Sequence, residues 1–300
     1  MDDAVIETDS LYRRFGEREV VQGLDIRVPA GSVYGFLGPN GAGKTTTIRM
    51  LLGLLRPTSG SIRLFGRPAG DRSLLRRIGA LVEAPSLYPH LTGEENLRHA
   101  CLLKNVPRRD ISRVLEIVDM QGAAARLVRN CSLGMKQRLG LAQALLGAPE
   151  LVILDEPTNG LDPAGIHEMR HLLRSMPAAN GVTVFLSSHL LGEVQQIADR
   201  IAIVAGGRLE FEGAPEELCA RRHAVLRIGV DRPGPAAETL LRHGYAPRAG
   251  SAGSLTLPDC DPETAARINR LLVESGHAVH SLVSEQASLE KMFLELTHAL

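Results

Sequence analysis

Tryptophan is absent from this chain, and Phe, Tyr and Trp together make up only 3% of its 300 residues. Little material is therefore left for platforms that stack on nucleic-acid bases. Net charge is missing as well: 34 Lys plus Arg balance 34 Asp plus Glu, so no basic field favours DNA or RNA, and no nucleic-acid partner is expected. The four cysteines, Cys101, Cys131, Cys219 and Cys260, stand far apart; they form neither a C-x-x-C pair nor a metal-ligand cluster, and reduced thiols in a cytoplasm fit them best. No stretch approaches the roughly 18 uninterrupted apolar residues of a membrane helix. The best candidate, Leu139 to Leu154, is broken by Gln143, Pro149 and Glu150, so the chain is not expected to span a membrane. Met1-Asp2-Asp3 is acidic where a signal peptide is basic, and no apolar segment follows, which predicts a protein made and kept inside the cell.

What is present is ordinary in bulk and specific in detail. A hydrophobic content of 44% with 23% charged residues fits a soluble protein of two domains. Residues 20–28 alternate as a strand, Pro29-Ala30-Gly31 reads as a turn, and Val33 to Leu37 is an apolar run of strand length; a further strand is expected over Ser61 to Phe65. From Gly93 to Leu146 the spacing becomes helical, with helices predicted over Glu95 to Lys104, Ile111 to Met120 and Lys136 to Leu146. Strand patterns return at Leu151 to Leu154, Val182 to Leu186 and Ile201 to Val204, separated by helical stretches at Gly165 to Ser175 and Leu190 to Asp199. This is α/β winding around a mostly parallel sheet with an inserted helical subdomain, about residues 84–147. After about Leu218 the pattern becomes strand, helix, strand, strand, helix, strand up to Val283, the order of a small α+β, ferredoxin-like unit. A final amphipathic helix is predicted over Ser288 to Leu296, whose apolar stripe is ordinarily core packing.

The chemistry is densest at residues 38–46, Gly-Pro-Asn-Gly-Ala-Gly-Lys-Thr-Thr. A G-x-x-x-x-G-K-[ST] loop between a strand and a helix cradles nucleotide phosphates, so ATP or GTP is expected there. Gly38, Gly41 and Gly43 lack a Cβ, which lets the backbone N–H groups of Gly38, Pro39, Asn40, Gly41, Ala42 and Gly43, proline excepted, turn inward at the positive end of the helix. Lys44 is placed to reach the β- and γ-phosphates, and Thr45, followed by Thr46, to ligate Mg²⁺. A merely glycine-rich turn is the plain alternative. Further along, Leu151 to Leu154 is an apolar strand ending in Asp155 and Glu156. In phosphate-loop enzymes such an Asp serves Mg²⁺, and the next acid serves as general base or water-orienting group. Many buried strands also end in a carboxylate simply because the loop meets solvent. Ser132 stands where an N-cap belongs, just before a predicted helix.

Three segments taken together resemble the ABC ATPase family: GPNGAGKTT as its phosphate loop, SLGMKQR as a degenerate signature sequence, and LVILDEPTNGLDP as its acidic strand followed by the D-loop. The resemblance covers about residues 5–218. It implies a RecA-like phosphate-loop core with an antiparallel β subdomain and the helical insertion in a domain of residues 1–218, leaving 219–300 as an accessory α+β domain. It also implies a homodimer formed on ATP, in which Ser132 and Gly134 touch the γ-phosphate held by the other copy and Asp162 senses the other copy's site. By the same resemblance His189 supports the Glu156 base, so that Lys44, Glu156 and His189 are the catalytic set, and Phe15 stacks on adenine. Leu133 and Met135 depart from the family's usual Gly and Gln. A lone His, a polar turn ending at Pro163 and an aromatic packed in a minor core are the plain readings of His189, Asp162 and Phe15.

Glu83 is the most telling departure, because most relatives carry a Gln there that reaches Mg²⁺ and the attacking water. With SLYPHLTGEEN just after it, Glu83 resembles the branch associated with bacitracin resistance, lantibiotic immunity and related antibiotic exporters. It is accordingly expected beside nucleotide and metal with Thr45 and Asp155, the plain alternative being a residue on a solvated loop. The resemblance thus implies an ATP-hydrolysing subunit, with ATP and Mg²⁺ as cofactors, that drives a separate transmembrane permease from the inner face of the cell membrane. The alternative is a soluble ABC ATPase acting on ribosomes or DNA.

Overall fold

The structure is a computed structural model that describes residues 4–220, 224–250, 253–258 and 260–286; the helix expected over Ser288 to Leu296 lies outside the described residues. The chain divides into two compact units, the first running to Pro215 and the second beginning at Glu216. The first opens with β1 (Ala4–Phe15), β2 (Arg18–Leu24), β3 (Arg27–Pro29) and β4 (Val33–Leu37), followed by α1 (Lys44–Leu51), β5 (Ser59–Leu64), β6 (Arg67–Pro68) and β7 (Ile78–Leu81). Three helices come next, α2 (Gly93–Lys104), α3 (Asp110–Ile117) and α4 (Leu133–Leu145). The unit then returns to the sheet with β8 (Leu151–Asp155), α5 (Pro163–Asn180), β9 (Thr183–Ser188), α6 (Leu191–Val194), β10 (Arg200–Ala205) and β11 (Arg208–Gly213), and α7 (Pro215–Ala220) stands at the boundary.

Six strands form the central sheet in the order β11-β10-β4-β9-β8-β7, parallel throughout except for the β10–β11 hairpin. Every residue of β4, β8 and β9 is buried, which is why these strands read as unbroken apolar runs rather than alternating ones. Register decides where the site lies. Leu37 stands opposite Ser188 and Asp155 opposite Ser187, so the carboxyl ends of β4, β8 and β9 open side by side, the place where open α/β sheets bind ligands.

Against that sheet packs a second, antiparallel one, ordered β2-β1-β5-β6 with β3 also on β1. The strand expected over residues 20–28 is broken at Asp25-Ile26, because Thr8 Oγ1 donates to the Leu24 carbonyl at 2.7 Å and accepts from Ile26 N at 2.9 Å. The helix expected over Leu190 to Asp199 keeps only one regular turn, α6. Asp199 is drawn out of it into the sheet, its N–H donating to the Val33 carbonyl at 2.9 Å and its carboxylate accepting from Val33 N at 2.8 Å.

The second unit comprises β12 (Ala224–Val230), α8 (Pro233–Arg242), β13 (Arg248–Ala249), β14 (Leu255–Leu257), α9 (Pro262–Glu274) and β15 (Val279–Gln286). Its sheet runs β13-β14-β12-β15 with each neighbouring pair antiparallel. Leu226, Ile228, Leu240, Ile268 and Leu272 make its core. The helices face the sheet with their apolar stripes, as their spacing requires.

Candidate functional site: a phosphate cradle at the strand ends

The loop after β4 closes tightly. Gly43 has φ +100° and Gly41 φ +83°, conformations that side-chain-bearing residues rarely adopt. A Cβ on Gly43 would lie 2.7 Å from the Val20 carbonyl oxygen, and one on Gly38 would lie 2.4 Å from that of Val204. The cradle thus needs glycine twice for space as well as for torsion. Lys44, only 6% exposed, donates from Nζ to the carbonyls of Gly38 at 2.7 Å and Pro39 at 3.2 Å. These bonds aim the ammonium across a cleft of about 510 Å³ lined by Gly41, Gly43, Lys44, Thr45, Glu156 and His189, among others.

The acidic wall comes from β8. Asp155 is buried, its Oδ2 accepting from Thr45 Oγ1 at 2.9 Å and its Oδ1 from Ser187 Oγ at 2.6 Å. Ser187 Oγ also accepts from Glu156 N at 3.0 Å. Glu156 itself sits at φ +50°, a strained conformation of the kind that gathers at functional sites. Its carboxylate spans the cleft, with Oε1 3.2 Å from Lys44 Nζ and Oε2 2.8 Å from His189 Nδ1.

Hydroxyl and carboxylate side by side at Thr45 and Asp155 form a hard oxygen donor set of the kind Mg²⁺ takes when phosphates supply the remaining ligands. Among the described residues no group of three or more His, Cys, Asp and Glu could hold a metal ion by itself. Bound there, the metal would neutralise charge on the phosphates. The Lys44 ammonium would add to that neutralisation, the Asp155 carboxylate fixes the Thr45 hydroxyl at 2.9 Å, and Glu156, held by His189, has the chemistry to take a proton from a water.

The structure thus brings Lys44, Thr45, Asp155, Glu156 and His189 together, with Asn40 and Thr46 also on the wall. Phe15 is exposed at the end of β1, paired in register with Arg18, whose side chain lines the same cleft. The Arg13 guanidinium lies 4.3 Å from the centroid of the Phe15 ring. Ser132 and Gly134 lie elsewhere. Ser132 caps α4, accepting from Met135 N at 3.3 Å, and Asp162 caps α5, accepting from Gly165 N at 2.9 Å. Both line a second depression of about 430 Å³ that shares no residue with the Lys44 cleft. Glu83 lines neither cavity and is ion-paired with Arg49.

Ser187 and Arg49 were not expected in or near the site. The serine had a visible signal, since a polar Ser-Ser pair closes a buried apolar strand just before His189; the arginine had none. A third cavity, an open groove of about 850 Å³, lies between the end of α1, β7 and α2, with Leu54, Leu75 and Leu103 exposed along it. Lys104 is at its edge, and burial pushes this ammonium below the ordinary lysine range. Its Nζ donates to the Gln143 carbonyl at 2.7 Å, near the carboxyl end of α4.

Comparison with known proteins identifies the family. The family model described as ABC transporter matches residues 21–159. The bacitracin transport ATP-binding protein BcrA of Bacillus licheniformis is 41% identical over 97% of this chain and 97% of its own. The lantibiotic transport ATP-binding protein SrtF of Streptococcus pyogenes is 40% identical over 71% of this chain and 95% of its own. Among solved structures, an ATP-binding subunit of an ABC transporter, 29% identical, superposes with a TM-score of 0.64 over 72% of this chain and 92% of its own. The fold is likewise that of cbiO1 from Clostridium perfringens, 24% identical, with a TM-score of 0.68 over 80% of this chain and 96% of its own. Among the described residues no helix is long and apolar enough to cross a membrane. Similarity at this level, sustained along almost the whole chain, leaves a single family: the chain belongs to the ATP-binding, ATP-hydrolysing subunits of ABC transporters.

Proposed function

We propose that two copies of this chain close on two molecules of Mg²⁺·ATP and, by hydrolysing them, drive a separate membrane permease that exports a peptide-type or other antibiotic. The observation that carries the reading is the placement of Glu156 between Lys44 and His189 on the floor of the phosphate cradle. That placement supports a reading in which water attacks a γ-phosphate in line and Glu156 takes its proton. The dimer is inferred because Ser132 and Gly134 line a different cavity from Lys44 within one chain, so a capped helix start could meet nucleotide only from a second copy. The apolar groove beside β7 and α2, reached by the loop that follows Glu83, supports docking of a permease segment and a peripheral position on the cytoplasmic face of the membrane. Antibiotic export rests on the relatives named for bacitracin and lantibiotic transport. The β-α-β-β-α-β element order of the second unit supports reading it as a ferredoxin-like accessory domain for dimer or permease contact.

The test is ATPase activity with the cognate permease co-expressed, for the wild type and Glu156→Gln. Glu156→Gln removes the proton acceptor and leaves Lys44 without its anion. Turnover is expected to fall by about 10²- to 10⁴-fold, while ATP affinity is maintained or raised. Equal inactivity of both proteins would sink the enzyme reading, and robust wild-type turnover that ignores every permease would favour a soluble role.

A further inference from the structure

The Glu83 carboxylate does not stand free. Its partner is Arg49 of α1, through the Arg49 Nη2 and Glu83 Oε1 atoms. Arg49 follows Thr45 by four residues, so the two side chains lie on one stripe of the helix, a single turn apart, with Cβ atoms about 5–6 Å from each other. Thr45 is the residue that holds the metal-side hydroxyl against Asp155. Glu83 reaches this stripe because its backbone adopts φ +63°, a conformation few non-glycine residues accept. Its neighbours Val82 and Pro85 line the apolar groove, but Glu83 does not. One residue of that loop therefore turns away from the groove towards the helix that carries the phosphate-binding residues.

We propose that Arg49 is a positioning residue which holds and neutralises Glu83, so that the Arg49–Glu83 pair sets how tightly the nucleotide cleft takes its divalent cation. The proposal rests on the reading of that cleft as a site for Mg²⁺·ATP. Paired, the two side chains present no net charge one turn from Thr45. Without Arg49 an unneutralised carboxylate remains, and without Glu83 an unneutralised guanidinium. A unit charge roughly 7 Å from a divalent cation in a water-like dielectric changes its binding by about five- to tenfold, and salt reduces this to about three- to fivefold. Both side chains are largely exposed, at 48% and 62%, so the pair contributes little to stability and its variants are expected to fold.

The two single substitutions have opposite expected signs, which a general loss of structure cannot produce. The experiment uses the full chain with Mn²⁺ and a non-hydrolysable ATP analogue, counting free Mn²⁺ by electron paramagnetic resonance at low salt. Arg49→Gln is expected to tighten Mn²⁺ on the protein–nucleotide complex by about three- to fivefold, and Glu83→Gln to loosen it by a similar factor. The double variant returns to within about twofold of the wild type, and Arg49→Lys, which keeps the charge, stays close to it. Single variants that both loosen Mn²⁺, or that both leave it unchanged, overturn the proposal. A Lys44→Ala control separates the two claims. If it loses the nucleotide while the wild type binds, the cleft reading stands and the signs at Arg49 and Glu83 decide this one. If the wild type takes up no Mn²⁺ with nucleotide, the cleft reading falls and the proposal falls with it.

Discussion

Replacing Gly43 by Ala is expected to cost the first unit both stability and nucleotide binding, and the structure fixes the size of the effect. Gly43 stands at φ +100° and ψ 4°, outside the wells open to L-residues, a conformational cost of about 1–2 kcal/mol. The new Cβ would also lie 2.7 Å from the Val20 carbonyl oxygen in β2. Because that atom is backbone, relief requires β2 or the loop to move by several tenths of an ångström, which adds about 1–3 kcal/mol. A total near 3 kcal/mol corresponds to a fall in Tm of about 6–12 °C for a unit of this size. Two controls separate torsion from collision. Gly41, at φ +83°, and Gly31, at φ +66°, have nothing within 4 Å of an added Cβ, so each Ala variant carries only the torsional cost, about 1–2 kcal/mol. Gly31 also lies outside the cleft. The assay is thermal unfolding with and without Mg²⁺·ATP at about 100 times Kd, where ligand adds roughly 2.7 kcal/mol to a protein that binds it. The wild type and Gly31→Ala should gain this stabilisation and Gly43→Ala should not. If Gly43→Ala melts within about 1 °C of the wild type, or gains the full ligand shift, the account of the cradle is wrong.

Ser187 is fully buried and joins Asp155 to the Glu156 backbone. Ser187→Ala leaves the Glu156 N–H without its acceptor, so a loss of about 2 kcal/mol is expected with a drop in turnover; an unchanged denaturant midpoint would contradict it. Asp110 ties α3 to the end of α4, accepting from Arg113 Nε at 2.5 Å and from Gly147 N at 2.7 Å. Burial alone would raise its pKa, but the Arg113 hydrogen bonds, the Gly147 N–H and the nearby Arg113 and Lys104 charges outweigh it and hold the carboxyl below its ordinary range. The stabilisation is complete above the unfolded value of about 3.9 and is lost as pH falls through the lowered folded value. Asp110→Asn should therefore lower Tm at pH 7 and flatten the acid limb of the stability profile below about pH 4. A variant whose acid limb matches that of the wild type would refute the linkage.

Features confined to a few consecutive residues were legible in the sequence. The glycine cradle, the Ser132 cap and the apolar strands running into Asp155 and His189 each carry their physical reason within about ten residues of chain. Strand β1 was not legible, and it escapes for a structural reason: its burial pattern does not alternate, its register slips near Ser10, and it serves two sets of partners, with Ser10 at φ +45°. Alternation marks a strand only when one face meets one core. Asp199 gives the converse case, a residue inside a helical pattern that is captured by Val33 of a distant strand.

By itself the sequence determined the ATP-binding family of this chain and the glycine-rich loop that closes ahead of α1, because the backbone torsions and the helix end that shape that loop are local. Only the tertiary structure decided what surrounds that loop. Thr45 meets Asp155 across 110 residues of chain, Glu156 meets His189 across 33, and Glu83 is given to Arg49 rather than left free. Such pairings depend on the order and register of strands in a sheet, which arise from how the whole unit packs its core and not from any one segment's preference.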